Sequence, residues 1–325
     1  MSSIAYITDK NMIEFHRLNG NSTINFWRPT SSKRFTDFHP GDLLFFLAKG
    51  TEHGQHKEKG IIGYGRYTGG NTLSFRQMWK RYGALNGYST SNDLQEAILK
   101  VSKSKTLSPL FSCLTLKDVV FFQTPVYPSE IGINISNSLE SYIYPDKEDI
   151  RATAKILLRA NEVGIDVWTA VVSHHAMDAT VFDEDLIRHV LRVALERVKD
   201  SIDTARESNR ITRVLNQFRE LTKNQDEMEW IDSRKHEMLK FDSEGVTLTL
   251  AFVSLKQDLW RKTMYLVGKT ALVKQESSQN LQGKLKRLKI QVVVDSGIPL
   301  EIIDCLTQNS IEVVSLPNES NEEKE

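Results

Sequence analysis

Five short apolar segments, separated by turns that contain glycine or proline, occupy much of residues 1–145 and constrain the fold more than any other feature. Their sequences are STINFWR, PGDLLFFLA, GIIGYGRYTG, VVFFQTPV and SYIYP. Short runs rich in β-branched and aromatic residues, bounded by turn residues, are typical of strands. We therefore predict that the first part of the chain forms a compact β-barrel.

Two helices interrupt this strand pattern between the third and fourth segments. SFRQMWKRYGALNG carries its apolar residues at helical spacing and ends at a glycine. STSNDLQEAILKVSK has Ser91 or Asn92 as a candidate N-cap ahead of an apolar stripe. The pattern predicts a barrel with two inserted helices.

The pattern changes at about Asp146, where helical periodicity takes over. Residues 183–218 predict two helices, broken near residues 207–209, and a strand (VTLTLAFVSL) and a helix (DLWRKTMYLVGKTALVKQ) follow. The segments KIQVVVDS, IPLEIIDCLTQNS and IEVVSL predict a strand, a helix and a parallel strand. We predict an α/β (α+β) protein with domains at 1–145 and 146–317 and an acidic, disordered tail at 318–325.

The charges are unevenly distributed, although 42 basic and 42 acidic side chains balance overall. Residues 1–145 carry 16 Lys and Arg against 11 Asp and Glu, whereas residues 146–325 carry 26 against 31. A basic first half is compatible with a polyanionic partner, and an ordinary solvated surface explains it equally well. No apolar run approaches the roughly 20 residues of a membrane helix, and no signal peptide is seen, so we predict a cytoplasmic protein without a membrane partner.

The segment NFWRPTSSKRF combines two adjacent aromatic residues, a proline and three cations. Side chains alternate between the two faces of a strand, so Phe26 and Trp27 point in opposite directions. We predict that Phe26 packs in the core and that Trp27 lines a pocket. Aromatic faces can hold a nucleic-acid base while nearby Arg and Lys neutralise phosphates.

The third strand segment also contains Gly63, Gly65, Gly69 and Gly70. It lacks the strand–turn–helix context of a dinucleotide-binding fingerprint. Bulges in a tight barrel explain these glycines more simply.

The stretches INFWRPT, PGDLLFFLAK, IIGYGRY, MWKRYGALNGYST and LTLKDVVFFQTPVYP follow one another over about residues 23–145. In this order they resemble the PUA-like or EVE-like N-terminal domain of bacterial restriction endonucleases. The resemblance implies recognition of double-stranded DNA. It suggests the following DNA contacts: Trp27, Arg28, Lys33, Arg34, Arg66, Arg76, Lys80 and Arg81.

The second domain lacks the Cys-x-x-Cys pair and terminal histidine arrangement of an HNH nuclease. Its order of helices and strands resembles a diverged PD-(D/E)xK nuclease core, which implies a Mg²⁺ site. Asp242 and Glu244 are then the metal ligands and Lys256 orients the attacking water, although Ser254 stands where a glutamate is expected. An alternative source of a carboxylate is a preceding helix carrying Glu227, Glu229 or Glu237.

Two other interpretations of these residues remain open. Asp242 and Glu244 can be ordinary hairpin residues, with Lys256 a cation at the end of a strand. Alternatively, Asp295 and Glu301 follow a parallel strand, where open α/β sheets place their sites, although an Asp there is also a common helix cap.

Together these features predict a DNA-binding component of a multi-subunit type II restriction enzyme such as BsuMI. It would contribute to Mg²⁺-dependent cleavage of unmodified DNA together with other restriction subunits. The alternatives are a non-enzymatic reader of modified DNA or RNA with a C-terminal assembly domain, and a structural adaptor that contacts no nucleic acid.

Overall fold

The computed structural model describes residues 3–29, 35–55, 57–102, 105–172, 180–198, 204–222, 228–231, 234–253, 258–281, 283–294 and 297–317. Contacts divide the chain into two compact units, Met1–Phe182 and Asp183–Glu325. The division between the units lies later in the chain than the boundary predicted at residue 145, so residues 146–182 belong to the first unit. The predicted domain boundaries themselves stay a prediction.

The first unit is built on a six-stranded mixed sheet in the order β2-β5-β4-β3-β1-β6. Its strands are β1 (Ile4–Thr8), β2 (Ile24–Pro29), β3 (Leu43–Ala48), β4 (Ile61–Leu73), β5 (Phe111–Val126) and β6 (Tyr142–Ile143). β1 pairs in parallel with β3, and the other pairs are antiparallel. Strand β1 lies in a region for which the sequence pattern made no prediction.

This sheet is strongly curled. β1 and β2 are four positions apart in it, which would separate them by roughly 19 Å in a flat sheet. The ring centroids of Tyr6 on β1 and Phe26 on β2 are nevertheless only 5.0 Å apart. No backbone pairing joins β2 to β6 among the described residues. The predicted barrel is therefore a half-barrel, in which the edge strand β2 approaches β1 through side chains.

Three register shifts between β4 and β5 contribute to the curl, because bulges increase local twist and bending. The glycines of β4 permit the close pairing. A Cβ at Gly63 would lie 2.4 Å from the carbonyl oxygen of Val120, and one at Gly65 would lie 2.9 Å from the Cβ of Leu116. The interpretation of these glycines as features of a tightly bent sheet is confirmed.

Two apolar clusters pack the two faces of the sheet. The concave face carries Phe26, Leu44, Phe46 and Leu116, with Met12 and Ile13 from a helix. The opposite face of β5 carries Phe111 and Cys113, which pack against Met78, Leu94 and Ile98 from two other helices. The helices of this unit are α1 (Lys10–Leu18), α2 (Phe75–Tyr82), α3 (Ser91–Val101), α4 (Pro145–Glu148), α5 (Ala152–Val163) and α6 (Val167–Val172).

The second unit contains a five-stranded sheet in the order β11-β10-β9-β8-β7. Its strands are β7 (Met228–Trp230), β8 (Glu237–Asp242), β9 (Gly245–Phe252), β10 (Leu288–Val294) and β11 (Glu312–Ser315). The helices are α7 (Thr180–Arg197), which the unit boundary divides, α8 (Ala205–Leu221), α9 (Leu259–Asn280) and α10 (Leu300–Gln308). β9, β10 and β11 are parallel, as predicted for the last two, whereas β7, β8 and β9 form an antiparallel series.

The mixed α/β class is confirmed, and two details differ from the sequence prediction. α8 already includes residues 207–209, so the helix break lies before Ala205. Glu229 and Glu237 lie on β7 and β8, so neither stands on a helix. Glu227, Asp295 and the tail at 318–325 lie outside the described residues. No described helix has the length and apolar character needed to cross a membrane.

Candidate nucleic-acid interface

Arg28 and Phe26 are two residues apart on β2 and so share its concave face. Phe26 is buried and packs edge-on against Tyr6 and in a stacked orientation against Phe46. The prediction that Phe26 belongs to the core is confirmed. Arg28 is only 7% exposed, although its side chain is charged.

Three half-buried rings surround the end of this face. We call Tyr6, Phe35 and Tyr142 the ring cluster. The rings of Tyr6 and Tyr142 stack with centroids 6.0 Å apart, and Phe35 meets Tyr142 edge-on at 4.8 Å. The guanidinium carbon of Arg28 lies 4.1 Å from the centroid of Phe35. A cation over an aromatic face at this distance is attracted by the ring quadrupole, which partly offsets the cost of burial.

The surroundings of Tyr142 disfavour ionisation of its hydroxyl. Burial raises the pKa of Tyr142 above the ordinary value of a phenol, and the nearby oxygen of Tyr144 acts in the same direction, while the charge of Arg28 opposes both. The Tyr142 hydroxyl is therefore protonated at neutral pH. Arg28 supplies a cationic hydrogen-bond donor, and the rings supply apolar faces.

The segment that carries Phe35 is held in place by Tyr144. The Tyr144 hydroxyl oxygen accepts the backbone N–H groups of Thr36 and Asp37 at 3.2 and 3.4 Å. Lys147 donates to the Asp37 carboxylate at 2.7 Å, and this hydrogen bond lowers the pKa of Asp37. Phe38 stacks on Tyr67 with centroids 4.8 Å apart. These contacts fix Phe35 beside Arg28.

Trp27 lies on the opposite face of β2, as the alternation predicted. That face is covered rather than open. The indole N–H donates to the carbonyl of Asn86 at 2.9 Å, and the ring meets Phe111 edge-on. Asn25, two residues earlier, donates to the side chain of the same Asn86 at 2.7 Å. The placement of Trp27 favours packing, and its contact with DNA stays a prediction.

The described cations among those predicted, Arg66, Arg76, Lys80 and Arg81, do not form one patch with Arg28. Arg76, Lys80 and Arg81 are exposed on α2, on the side of the sheet that carries Trp27. Arg66 on β4 pairs with Asp118 at 3.3 Å, and its side chain is 15% exposed. Lys33 and Arg34 lie outside the described residues.

The predicted catalytic residues of the second unit lie at a hairpin turn. Asp242 accepts the backbone N–H groups of Glu244 and Gly245 at 2.8 and 3.0 Å, and Glu244 pairs with Arg287 at 3.2 Å. Both carboxylates are exposed at the turn from which β9 starts. The far end of β9 is about 24 Å away, and Ser254 and Lys256 follow that end, outside the described residues.

Asp242 and Glu244 do not form a metal site with a third described ligand. The described part of the chain contains no group of three or more His, Cys, Asp or Glu side chains arranged to hold a metal ion. Glu237 lies towards the far end of β9, where its register partner is Leu250. The assignment of Asp242, Glu244 and Lys256, and that of Mg²⁺, stays a prediction.

No family model and no curated protein matches the chain. Among solved structures, ASCH from Zymomonas mobilis is similar with a TM-score of 0.35 and 12% identity, over 48% of this chain and 94% of the other. A variant of that protein gives a TM-score of 0.34 and 13% identity, over 49% and 98% of the two chains. Likenesses at this level assign neither a family nor a function.

The sequence prediction identified Arg28 but not the ring cluster. Phe35 is the last residue of the segment NFWRPTSSKRF, and Tyr142 lies in the segment SYIYP, so both belong to segments that the sequence analysis singled out. Their proximity depends on the pairing of β1 with both β3 and β6, which brings Tyr6 beside Tyr142. No local pattern encodes that pairing.

Proposed function

We propose that the first unit binds a nucleic acid and that the ring cluster, with Arg28, receives one unstacked base. The observation that carries the proposal is the burial of Arg28 against Phe35 beside half-buried rings. A planar base could stack on the rings while Arg28 donates hydrogen bonds to its edge or to its phosphate.

The finer proposal is that the ligand is double-stranded DNA, and it rests on the sequence resemblance. A base must then leave the duplex, which costs a few kcal/mol of unstacking and unpairing. RNA or single-stranded DNA would avoid the cost of unpairing.

The test compares Tyr142→Leu, which removes a ring, with Tyr142→Phe, which keeps it. Binding of labelled duplex DNA, single-stranded DNA and RNA is measured by fluorescence anisotropy at two salt concentrations. Loss of one stacking face costs about 1–3 kcal/mol, so Tyr142→Leu should bind roughly 5- to 150-fold more weakly. Tyr142→Phe should bind like the unaltered protein.

The matched control is Tyr127→Leu, since Tyr127 is also a half-buried tyrosine of the first unit and its hydroxyl donates to the carbonyl of Thr51. It should not change affinity. Equal binding by Tyr142→Leu and Tyr127→Leu would contradict the proposed site. Binding that does not weaken with rising salt would contradict phosphate contacts altogether.

A second candidate function is Mg²⁺-dependent DNA cleavage as a subunit of a restriction enzyme. It is favoured by the order of α8, β7, β8, β9, α9 and β10, which is compatible with the nuclease core that the sequence resembles. Supercoiled plasmid is incubated with the protein in Mg²⁺ or in EDTA. Cleavage that requires Mg²⁺ and disappears in both Asp242→Asn and Lys256→Ala supports the predicted residues. Cleavage that survives both substitutions contradicts them.

A further inference from the structure

Two adjacent cavities of the second unit meet at Val253, just beyond the end of β9. The first lies beside α9 and is lined by Arg234, His236, Glu237, Lys262 and Lys269, among apolar residues. The second runs along the start of α8 and is lined by Thr204, Arg206, Glu207, Asn209, Arg210 and Arg213, besides Val253.

Cations outnumber carboxylates among the described residues that line these cavities. These residues include six Lys and Arg side chains and two carboxylates. Residues 183–325 as a whole carry 22 Lys and Arg against 25 Asp and Glu. The positive charge is therefore a local concentration within an acidic unit, and clefts lined by one sign of charge focus the electrostatic field.

Both carboxylates form ion pairs with lysines. Glu237 pairs with Lys269 at 2.7 Å, and their side chains are only 4% and 13% exposed. Glu207 pairs with Lys262 at 3.5 Å and also accepts the N–H of Thr204, capping α8. The pairs fix both lysines, and Arg206 and Arg213 are exposed cations of the second cavity.

The arginines of α8 form a row. Arg206, Arg210 and Arg213 are four and three residues apart, so they share one face of the first half of the helix. The positive end of the helix dipole adds to the charge of Arg206 in the first turn.

Side-chain hydrogen bonds connect α8 to the segment before β8. Ser208 and His236 are joined at 2.7 Å through their hydroxyl and Nε2 atoms. The Thr212 hydroxyl donates to the carbonyl of Arg234 at 3.4 Å. The two cavity walls are thus held together before any ligand arrives, which reduces the ordering cost of binding.

We propose that these joined cavities bind a phosphate group. Arginine suits this ligand because its planar guanidinium can donate two parallel hydrogen bonds to phosphate oxygens. The group can belong to a nucleic-acid backbone or to a free phosphate or mononucleotide. This site lies in the second unit, so it goes beyond the proposed function of the ring cluster and does not depend on it.

The test uses the full chain carrying Tyr142→Leu, so that base binding by the first unit does not obscure the second site. Arg206→Gln/Arg213→Gln removes two exposed lining cations. The matched control is Arg261→Gln/Arg287→Gln, which makes the same change of charge at exposed arginines of the same unit that do not line the cavities. Circular dichroism melts establish that both pairs are folded. The charge-preserving Arg206→Lys/Arg213→Lys supplies a second comparison.

The probes are inorganic phosphate, AMP and a labelled oligonucleotide, titrated by calorimetry and anisotropy. The Arg206→Gln/Arg213→Gln variant should bind at least one probe fivefold or more weakly. The control variant should change the affinity for that probe less than twofold, and Arg206→Lys/Arg213→Lys should lie between the two. Phosphate or AMP binding identifies a free phosphate ligand, whereas binding of the oligonucleotide alone, with a salt slope lowered by about one to two, identifies the backbone. Equal effects of the cavity and control pairs, or no binding of any probe, would overturn the proposal.

Discussion

At the residue scale, two buried titratable groups of the first unit change its folding stability in opposite directions as pH changes. Burial lowers the pKa of His16 to about 3, and raises that of Asp146 to about 6 despite hydrogen bonds from Thr153. The neutral form of each is therefore favoured by folding. For His16, stability is lost as pH falls below about 6.5, whereas for Asp146 it is lost as pH rises from about 4 to 6.

These opposite slopes partly cancel in the unaltered protein, so each must be measured by difference. Relative to the unaltered chain, the free energy of unfolding of Asp146→Asn should rise by up to roughly 3 kcal/mol between pH 4 and 6, because the amide does not ionise. Urea unfolding at pH 4, 5, 6 and 7 measures this difference. Parallel stability profiles for the two proteins would contradict a raised pKa of Asp146.

Asp149 provides the control for this experiment. The hydrogen bond from Lys155 lowers the pKa of Asp149, so its contribution is present above pH 4 and is lost on acidification. Asp149→Asn should therefore be less stable than the unaltered chain at neutral pH, and the difference should shrink below pH 4.

The same comparison of stability against pH applies to His16. Its ring is completely buried, and its Nδ1 lies 3.1 Å from the Asn21 amide nitrogen. We expect His16→Asn to lose less stability than the unaltered chain between pH 6.5 and 4, since it has no imidazole to protonate. The quantity that matters is the slope with pH, because the substitution also changes packing. An unchanged slope would show that the ring titrates normally.

At the element scale, the curl of the sheet depends on β4. We predict that Gly63→Ala lowers the stability of the first unit by about 2–3 kcal/mol, because the added Cβ would meet the backbone of β5 at Val120. Thermal and urea unfolding measure the loss. The control is Gly268→Ala in α9, where nothing lies within 4 Å, and a helical Gly→Ala change should raise stability by up to about 1 kcal/mol. Similar effects at both positions would contradict the close approach of β4 and β5.

The elements that could be predicted from the sequence are those with local signals. β3 is a continuous apolar run, β10 ends in three valines, and α2 has both helical spacing and a glycine stop. Polar residues were misleading near 207–209. Thr204 and Glu207 form a capping box, so this polar stretch belongs to the first turns of α8 rather than to a break.

At the scale of the whole molecule, the candidate site was less predictable than the elements that build it. Arg28 and Phe35 lie in one short segment of the sequence. Tyr6 and Tyr142 reach them only through the curl of a six-stranded sheet. Similarly, the hairpin carries Asp242 away from the end of β9 that precedes Lys256, and this separation follows from strand direction rather than from the spacing of the motif.

The extent of the first unit gives the final prediction. α5 buries Ile156, Leu157 and Ala160, and Arg17 on α1 pairs with Asp166 at 2.9 Å. Phe182 packs against Tyr64 and Phe122 on the face of the sheet opposite the ring cluster. We therefore expect a fragment of residues 1–182 to fold with one cooperative thermal transition.

A fragment of residues 1–145, which ends at the boundary predicted from the sequence, should unfold at a much lower temperature or aggregate, because the apolar face of β5 loses its cover. Phe182→Ala in the 1–182 fragment provides a graded comparison, with an expected loss of about 3–5 kcal/mol from the cavity it leaves. Calorimetry measures the unfolding temperatures of the 1–182 fragment, its Phe182→Ala variant and the 1–145 fragment. A 1–145 fragment as stable as 1–182 would show that the helices after residue 145 are dispensable to the half-barrel.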